Sequence, residues 1–400
     1  MTIKVGLSGF AKDEAAVLGY LLYPYNVELS GEVDGSDLLI CRNSFLDSSR
    51  PLIRVPTRAT PSDYDPPKDC GDGIVDLPSD LIRACSERFE AVLNPRVAFM
   101  YKLATRLPFQ YNTAPSLMRS HFLRMHNVDL NLLHHLGNET ARKILTEAFN
   151  VLGFRLQRKN PPSLLITHDV ESQKGLRSAL SLKAVEDELD VQSTWFLPSD
   201  EYPIARHIAR DLAEGSTIGS HDVKHDGRLI CIREHEELVD RLRKSRAKLE
   251  ATFEKEVKCF RSPLLQFSGR IVAALSEAGY GFDFSVPCWE PVHPLTMSGF
   301  GVESAQAFEI GAIIEFPLTL FQDHQVLVVL GMNTSDAIKL LVDQAKLVRS
   351  FDGDIVVLVH PDYSFSQDLS GYRKLLESLL EVQSLVAIDA ISMTPKCAFA

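Results

Sequence analysis

Apolar and polar positions follow a regular alternation of two patterns after Lys159-Asn160-Pro161-Pro162. Short runs of consecutive apolar residues, such as SLLITHDV and DIVVLVH, alternate with longer segments whose apolar positions recur every three or four residues. The first pattern is typical of fully buried strands and the second of amphipathic helices. Regular alternation predicts parallel strands joined by crossover helices, and about seven such units favour closure into a barrel. We therefore predict a barrel-like β/α fold over residues 161–400.

The chain before this barrel has a different organisation. Residues 3–8 and 37–41 are short apolar runs with a helix-like segment between them, which predicts a small α/β domain over residues 1–75. Within it, the turn-rich residues 56–74 are predicted to form a loop or linker. Residues 76–160 carry apolar positions at helical spacing and are predicted to be a helical region. The fold class is therefore α/β, with the barrel preceded by these two smaller parts.

Charge and cysteine content exclude several classes of protein. The formal net charge of −11 argues against nucleic acid as a partner, because binding to phosphate needs a basic face. No run of 18 apolar residues is present and the N-terminus has no signal-peptide pattern, so we expect no membrane span. Seven cysteines are scattered without CxxC spacing, as expected of buried thiols in a reducing compartment. We predict a cytoplasmic protein, and no feature indicates its oligomeric state.

Polar side chains with catalytic potential follow the predicted strands at their C-terminal ends, where barrel active sites lie. Asp169 and Glu171 follow the apolar run LLIT, and residues two apart on a strand share a face. One carboxylate could then be a metal ligand and the other a base. His221 and His225 form the only His-x3-His of the chain, and one helical turn would direct both rings at a divalent metal ion.

Further candidates lie at other strand ends. Arg261 can keep a nearby carboxylate ionised and oriented, although an exposed ion pair is the ordinary alternative. His360 ends the run DIVVLVH and is a candidate general acid, the alternative being a core histidine. Asp283 is expected to hydrogen-bond His360 and raise its pKa. Trp195 and Glu315 are candidate walls of the substrate pocket, with a structural role as the alternative.

Five motifs in this order resemble those of the polysaccharide deacetylase family, carbohydrate esterase family 4, which carries the NodB homology domain. The resemblance covers about residues 165–390. The motifs are Thr167-His168-Asp169-Val170-Glu171, Thr217 to His225, Phe260-Arg261-Ser262-Pro263, Gly281-Phe282-Asp283 and Leu358-Val359-His360. The resemblance implies a distorted (β/α) barrel. It also implies removal of an N- or O-acetyl group from a sugar with a divalent ion, zinc first, with cobalt, nickel or manganese as alternatives.

The resemblance also implies a role for each matching residue. Asp169 matches the base that deprotonates the metal-bound water, and Arg261 matches the residue that tethers this base. His221 and His225 match metal ligands. His360 matches the acid that protonates the leaving amine.

Two positions depart from the family pattern. Val170 stands where the family has its third metal ligand, an aspartate, and valine cannot bind a metal ion. Glu171 is the substitute one residue further on; if it does not reach, Asp169 becomes the ligand and Glu171 the base. At Leu264 the backbone N–H matches the oxyanion donor. Its side chain replaces a tyrosine that is common in the family, so the wall that faces the sugar differs.

The resulting expectation is a metal-dependent hydrolase that cleaves the C–N bond of an N-acetylated sugar or of a lipid- or nucleotide-linked glycan precursor. The expected partner is thus a carbohydrate substrate. Two alternatives remain open. One is hydrolysis of another non-peptide amide on the same barrel. The other is a non-catalytic glycan-binding or scaffolding protein on a degenerate barrel, for which Val170 is the main support.

Overall fold

Two β-sheets organise the chain, one before residue 80 and one after residue 160. The structure is a computed structural model that describes residues 2–42, 50–57, 65–104, 131–296, 298–363, 365 and 367–385. Residues 105–130 of the predicted helical region and residues 386–400 of the predicted barrel lie outside these ranges.

The first sheet has six strands in the order β2-β1-β3-β4-β6-β5, all parallel except β5. Its strands are β1 (Ile3–Ser8), β2 (Val27–Ser30), β3 (Leu38–Arg42), β4 (Leu52–Val55), β5 (Lys68–Gly71) and β6 (Ile74–Asp76). Strand β5 lies where the sequence predicted loop or linker, and β6 begins at the last residue of that stretch. Every residue of β5 is exposed and β6 buries only Val75, so neither strand carries a periodic apolar pattern.

The second sheet has eight strands in the order β12-β13-β11-β10-β9-β8-β7-β14, and only β12 is antiparallel to its neighbour. The strands are β7 (Leu164–Asp169), β8 (Ser193–Leu197), β9 (Thr217–Ser220), β10 (Cys259–Phe260), β11 (Phe282–Asp283), β12 (Phe308–Ile310), β13 (Ile313–Glu315) and β14 (Ile355–Val359). The predicted distorted barrel is confirmed as a curled half-barrel. Beside its open edge, the N–H of Leu320 donates to the carbonyl O of Val356 in β14.

Helices cover both sheets. The described residues contain ten α-helices: α1 (Lys12–Leu22), α2 (Leu81–Leu93), α3 (Phe99–Ala104), α4 (Gly137–Val151), α5 (Gln173–Glu188), α6 (Arg206–Ala213), α7 (His235–Phe253), α8 (Gly269–Glu277), α9 (Thr334–Ser350) and α10 (Leu369–Val382). Five of them begin at an oxygen-bearing side chain that accepts a backbone N–H, as Asp80 does from Arg83 at the start of α2. In the part of the chain that the structure describes, no helix has the length and apolar character of a membrane span.

The two faces of the half-barrel carry different sets of side chains. Leu165, Phe196, Phe282 and Phe284 belong to one buried cluster inside the curl. Because side chains alternate along a strand, Thr167 and Asp169 lie on the same inner face as Leu165. His168 lies on the opposite face, against the helices. This alternation decides which polar groups reach the site.

The N-terminal part and the half-barrel share one hydrophobic core. A polar contact also joins them where α4 meets residues 304–306. The carboxylate of Glu139, 1% exposed, accepts the Oγ of Ser304 at 3.0 Å and the backbone N–H groups of Ala305 at 2.6 Å and Gln306 at 3.1 Å. Arg142 forms an ion pair with Glu139 and donates to the carbonyl O of Leu21. Both charged side chains therefore have polar partners inside the interface.

Candidate metal and catalytic site

Three potential metal ligands meet at the C-terminal ends of the strands. The ligand atoms of Glu171, His221 and His225 lie within 4.8 Å of one another, which makes them a candidate metal site among the described residues. His221 follows β9 directly. Asp222 then turns the backbone with a φ of 67°, so the His-x3-His segment is a loop rather than the expected helical turn. The loop still brings the rings together, with centroids 5.3 Å apart.

The protonation of His221 suits a metal ligand. Its Nδ1–H donates to the carbonyl O of Arg261 at 2.8 Å, which leaves the lone pair on Nε2. Burial lowers the pKa of His221 to about 4 despite the nearby Asp169, so the ring is neutral near pH 7. The Nε2 atoms of His221 and His225 are both buried; that of His221 has no hydrogen-bond partner and that of His225 contacts the Glu171 carboxylate, and such atoms need an explanation. A divalent cation would satisfy both, and two imidazoles with one carboxylate suit zinc and similar ions.

Glu171 provides the negative charge of this cluster. Its Oε1 lies 3.1 Å from His225 Nε2, and its Oε2 accepts the hydroxyl of Tyr363 at 3.1 Å. Burial alone would raise the pKa of Glu171, but the neighbouring histidines, His225 first, lower it far below the usual range. The backbone N–H of Glu171 donates to Asp362 at 3.0 Å, and Asp362 also accepts the hydroxyl of Ser172. Thus the turn after β7 is anchored from the turn after β14.

Asp169 and Arg261 form a buried ion pair beside the cluster. Arg261 Nη1 lies 3.1 Å from Asp169 Oδ1, and the other oxygen, Oδ2, lies 4.0 Å from His221 Nε2. Arg261 is completely buried; it also donates to Thr167 Oγ1 at 2.8 Å and to the carbonyl O of Phe284 at 2.9 Å. The guanidinium therefore has a fixed position and presents its charge to Asp169.

His360 contacts a carboxylate that the sequence did not indicate. Its Nδ1 lies 2.7 Å from Asp323 Oδ1, and its backbone N–H donates to Asp323 Oδ2 at 3.0 Å. Burial would lower the pKa of His360, but Asp323 and Glu171 outweigh it and raise the pKa to about 10. Glu171 Oε1 is 3.8 Å from His360 Nε2. The only sequence signal for Asp323 is that it follows the apolar run PLTLF, as other site residues follow strands.

The expected hydrogen bond between Asp283 and His360 is wrong. Asp283 is fully buried on the face opposite Phe282 and Phe284, where its Oδ1 accepts the N–H of Phe284 and the hydroxyl of Ser285. Its neighbour across the strands is Glu315. Burial raises the pKa of Asp283 to about 6 and that of Glu315 further, so Glu315 stays protonated beside Asp283. Glu315 Oε1 accepts the N–H of Val286, and neither carboxyl group lines the pocket.

The prediction that Trp195 contacts substrate is also wrong. The side chain is fully buried on the helix-facing side of the sheet and stacks on His168 with ring centroids 3.9 Å apart. His168 in turn contacts the carbonyl O of Val359 at 3.0 Å and Glu186 Oε1 at 2.6 Å. These contacts connect β7 to β14 on the helix-facing side of the sheet. Leu264, the other predicted substrate contact, is half-buried in the turn after Arg261.

Residues 157–282 match the family model described as polysaccharide deacetylase. The chain therefore carries a polysaccharide deacetylase domain, as its motifs predicted. The matched segment includes Asp169, Glu171, His221, His225 and Arg261 and ends one residue before Asp283. No curated protein sequence matches the chain significantly.

Solved structures with a similar arrangement of strands include a protein of Mycobacterium smegmatis taken to be a polysaccharide deacetylase. It is 15% identical, with a TM-score of 0.48 over 59% of this chain and 91% of that chain. A family 4 carbohydrate esterase from Streptomyces lividans in complex with acetate is 13% identical, with a TM-score of 0.37 over 57% of this chain and 92% of that chain. A CE4 family pseudoenzyme from Bacillus anthracis is 17% identical, with a TM-score of 0.37 over 57% of this chain and 64% of that chain.

Proposed function

We propose that the protein is a metal-dependent hydrolase that removes the acetyl group from an N-acetylated sugar or glycan precursor. One observation carries the proposal. The ligand atoms of His221 and His225 converge with the carboxylate of Glu171, directly beside the ion pair of Asp169 with Arg261. This is the arrangement needed for hydrolysis that a divalent ion assists.

The ligand set that we propose is Glu171, His221 and His225. A bound divalent ion supplies Lewis acidity and lowers the pKa of water. Val170 cannot contribute because its side chain has no donor atom, and it is fully buried in the hydrophobic core. Glu171 replaces the missing aspartate, since Asp362 holds its backbone and Tyr363 its carboxylate. Of the two assignments that the sequence left open, we therefore propose Glu171 as ligand and Asp169 as base.

The remaining residues move protons and stabilise charge. Arg261 forms an ion pair with Asp169 and orients it, so that Asp169 can accept the proton of the attacking water. His360, whose pKa Asp323 keeps high, donates a proton to the departing amine. The backbone N–H of Leu264 donates to the oxyanion of the tetrahedral intermediate. A cytoplasmic site of action, with a lipid- or nucleotide-linked precursor as substrate, is part of this proposal, because scattered cysteines without CxxC spacing suit a reducing compartment.

Metal content by elemental analysis tests this proposal. We expect about one equivalent of a divalent ion in the wild type, and its loss in Glu171→Ala and His221→Ala, because each variant removes a ligand. His235→Ala is the matched control, since this histidine is exposed and pairs with Glu277 on the surface. The wild type but neither variant should release acetate from N-acetylated sugars. A wild type that binds no metal ion even in added Zn²⁺ would favour the binding-protein alternative.

A further inference from the structure

We propose that His293 is a positioning residue for the turn at Leu264 and Leu265, and that through it the N-terminal helices fix the geometry of the site. The inference rests on the proposed function, in which this turn supplies the oxyanion donor. It assigns a role in that reaction to residues outside the five motifs.

The turn needs external support because its backbone is strained. Leu264 and Leu265 have φ values of 59° and 52°, in the left-handed region that non-glycine residues avoid at about 1–2 kcal/mol each. Two such residues in succession persist only where neighbours over-determine them. On one side, the N–H of Ser262 donates to Ser285 Oγ at 2.9 Å, and this hydroxyl donates to Asp283. Asp283 thus supports the turn from the helix-facing side.

His293 holds the other side of the turn. The side chain is completely buried, and its Nε2–H donates to the carbonyl O of Leu265 at 3.1 Å. Its Nδ1 accepts the N–H of Leu295 at 3.1 Å, so the ring carries its proton on Nε2. Phe300 packs against the imidazole with ring centroids 4.6 Å apart. The tautomer and the ring position are therefore both set by the segment that contains His293.

That segment is attached to the N-terminal helices. The N–H of Ala98, directly before α3, donates to the carbonyl O of Leu295 at 2.9 Å. The buried hydroxyl of Tyr101, in α3, donates to the carbonyl O of Gly227 at 2.6 Å, in the loop that carries His225. Residues 98–101 thus contact both the loop of the proposed metal ligands and, through His293, the strained turn. We name residues 98–101 the bracing segment.

Gly227 shows how closely these parts approach. A Cβ atom added there would lie 2.9 Å from Leu264 Cδ1 and 3.1 Å from the Tyr101 hydroxyl, and the φ of Gly227 is 64°. Only glycine fits this position. The Tyr101 hydroxyl of the bracing segment and the Leu264 side chain of the turn therefore both lie against Gly227 of the ligand loop.

Two substitutions at His293 separate positioning from packing. In His293→Leu the donor to Leu265 is lost, whereas in His293→Gln the side-chain amide nitrogen occupies the place of Nε2. We expect kcat of His293→Leu to fall about 10- to 100-fold, with KM and metal content nearly unchanged. Complete loss of an oxyanion donor, which lowers kcat ~100- to 1,000-fold, sets the upper limit of this effect. His293→Gln should recover most of the loss. His135→Phe, which keeps the stack on Trp289 of the same segment, should leave kcat unchanged.

Hydrogen exchange of the peptide covering residues 258–268 gives a readout independent of activity. We expect His293→Leu to accelerate exchange there, with α9 unchanged, even if the wild type proves to have no hydrolase activity. A wild type that has no hydrolase activity, together with accelerated exchange in His293→Leu, would thus refute the proposed function alone. If His293→Leu does not fold, Tyr101→Phe is measured instead and should accelerate exchange at the same peptide. Unchanged exchange, or equal kcat in the Leu and Gln variants, overturns the positioning role.

Discussion

His360 lies between two carboxylates, with Asp323 behind it and Glu171 in front. The distance from Nδ1 to Asp323 is 2.7 Å, and the distance from Nε2 to Glu171 is 3.8 Å. The charged imidazolium is favoured because the attraction of the two anions exceeds the cost of burying the ring. In the proposed reaction, this arrangement keeps His360 protonated, as its role as acid requires.

The first prediction concerns the ion pair behind this histidine. In Asp323→Asn the pKa of His360 should fall from about 10, because burial lowers it and an anion no longer opposes this. The protonated form is then lost at a lower pH, so the alkaline limb of the kcat/KM profile moves down by about one to three pH units. Asp352→Asn, at an exposed ion pair with Arg349, is the control and should show the wild-type limb. An unmoved alkaline limb in Asp323→Asn would contradict the assignment of His360 as acid.

At the residue scale, the sequence identified which polar residues follow strands but not the face of the sheet on which each side chain lies. Asp169, His221, Arg261 and His360 were predicted from apolar runs that end in a polar residue, and all four lie around one cluster. Asp283 has the same sequence signal but points the other way, because Phe282 and Phe284 take the inner face. Register and side-chain alternation decide this difference, and in a strand buried on both faces the apolar pattern does not reveal them.

Two helices support the site by contacts at defined positions. The first turn of α5 packs on Asp362, since Gly175 leaves room for the carboxylate that holds the backbone of Glu171. From the other side, Arg241 of α7 donates to both oxygens of Asp222, in the loop between His221 and His225. Each helix thereby holds in place one of the two segments that carry the proposed ligands.

The second prediction compares two helical glycines. A Cβ at Gly175 would come within 2.1 Å of Asp362 Oδ2, while nothing lies within 4 Å of a Cβ at Gly19 in α1. Alanine is favoured over glycine inside helices by about 0.5–1 kcal/mol. Gly19→Ala should therefore raise the free energy of unfolding by this amount and leave metal affinity unchanged. Gly175→Ala should show no such gain and should bind metal about 10-fold more weakly, because Asp362 releases Glu171. Equal gains in denaturant titrations would refute this difference.

The third prediction concerns the pair of Arg241 with Asp222. Asp222 is 0% exposed, so Arg241→Ala leaves a buried carboxylate without its cation, which costs about 3–5 kcal/mol. Chemical denaturation would measure the loss. On the same helix as Arg241, Lys248→Ala removes the cation of an exposed pair with Asp200 and should leave stability nearly unchanged. Similar losses of stability in both variants would show that the burial of Asp222 does not determine the loss in Arg241→Ala.

At the element scale, long apolar runs made β7, β8 and β14 predictable. The two-residue strands β10 and β11 are too short to show a period, although their flanking motifs indicated them. The regular alternation of strands and helices predicted parallel pairing, which is correct for every strand of the half-barrel but β12. The alternation did not reveal the antiparallel β12 at the edge, because the direction of an edge strand depends on its connection rather than on its composition.

The whole molecule behaves as one packed unit in its described part, since the N-terminal sheet, the helical region and the half-barrel contribute to the same core. Glu139 is the polar link in this interface, with acceptor contacts to three consecutive residues, Ser304 to Gln306. The sequence divided the chain at residues 75 and 160 because composition changes there, but composition does not report contacts between parts.

The fourth prediction is that Glu139→Ala destabilises the entire molecule. The change leaves Arg142 buried without its carboxylate, together with backbone donors of residues 305 and 306, and should cost about 3–5 kcal/mol. Calorimetry should show one transition at a lower temperature, since the parts share a core. Glu87→Ala, at an exposed pair with Arg83, should leave the transition unchanged. Two separate transitions would indicate that the parts unfold independently.

Strand β14 pairs with β7, although these are the last and the first strands of the half-barrel along the chain. The contact of Tyr363 with Glu171 joins residues that are 192 positions apart. Contacts of such separation form late, because the entropy of closing a long loop must be overcome first. During refolding the histidine loop can therefore form before Glu171 and His360 are held in place. Tight metal binding and activity should then both appear only with the slowest folding phase.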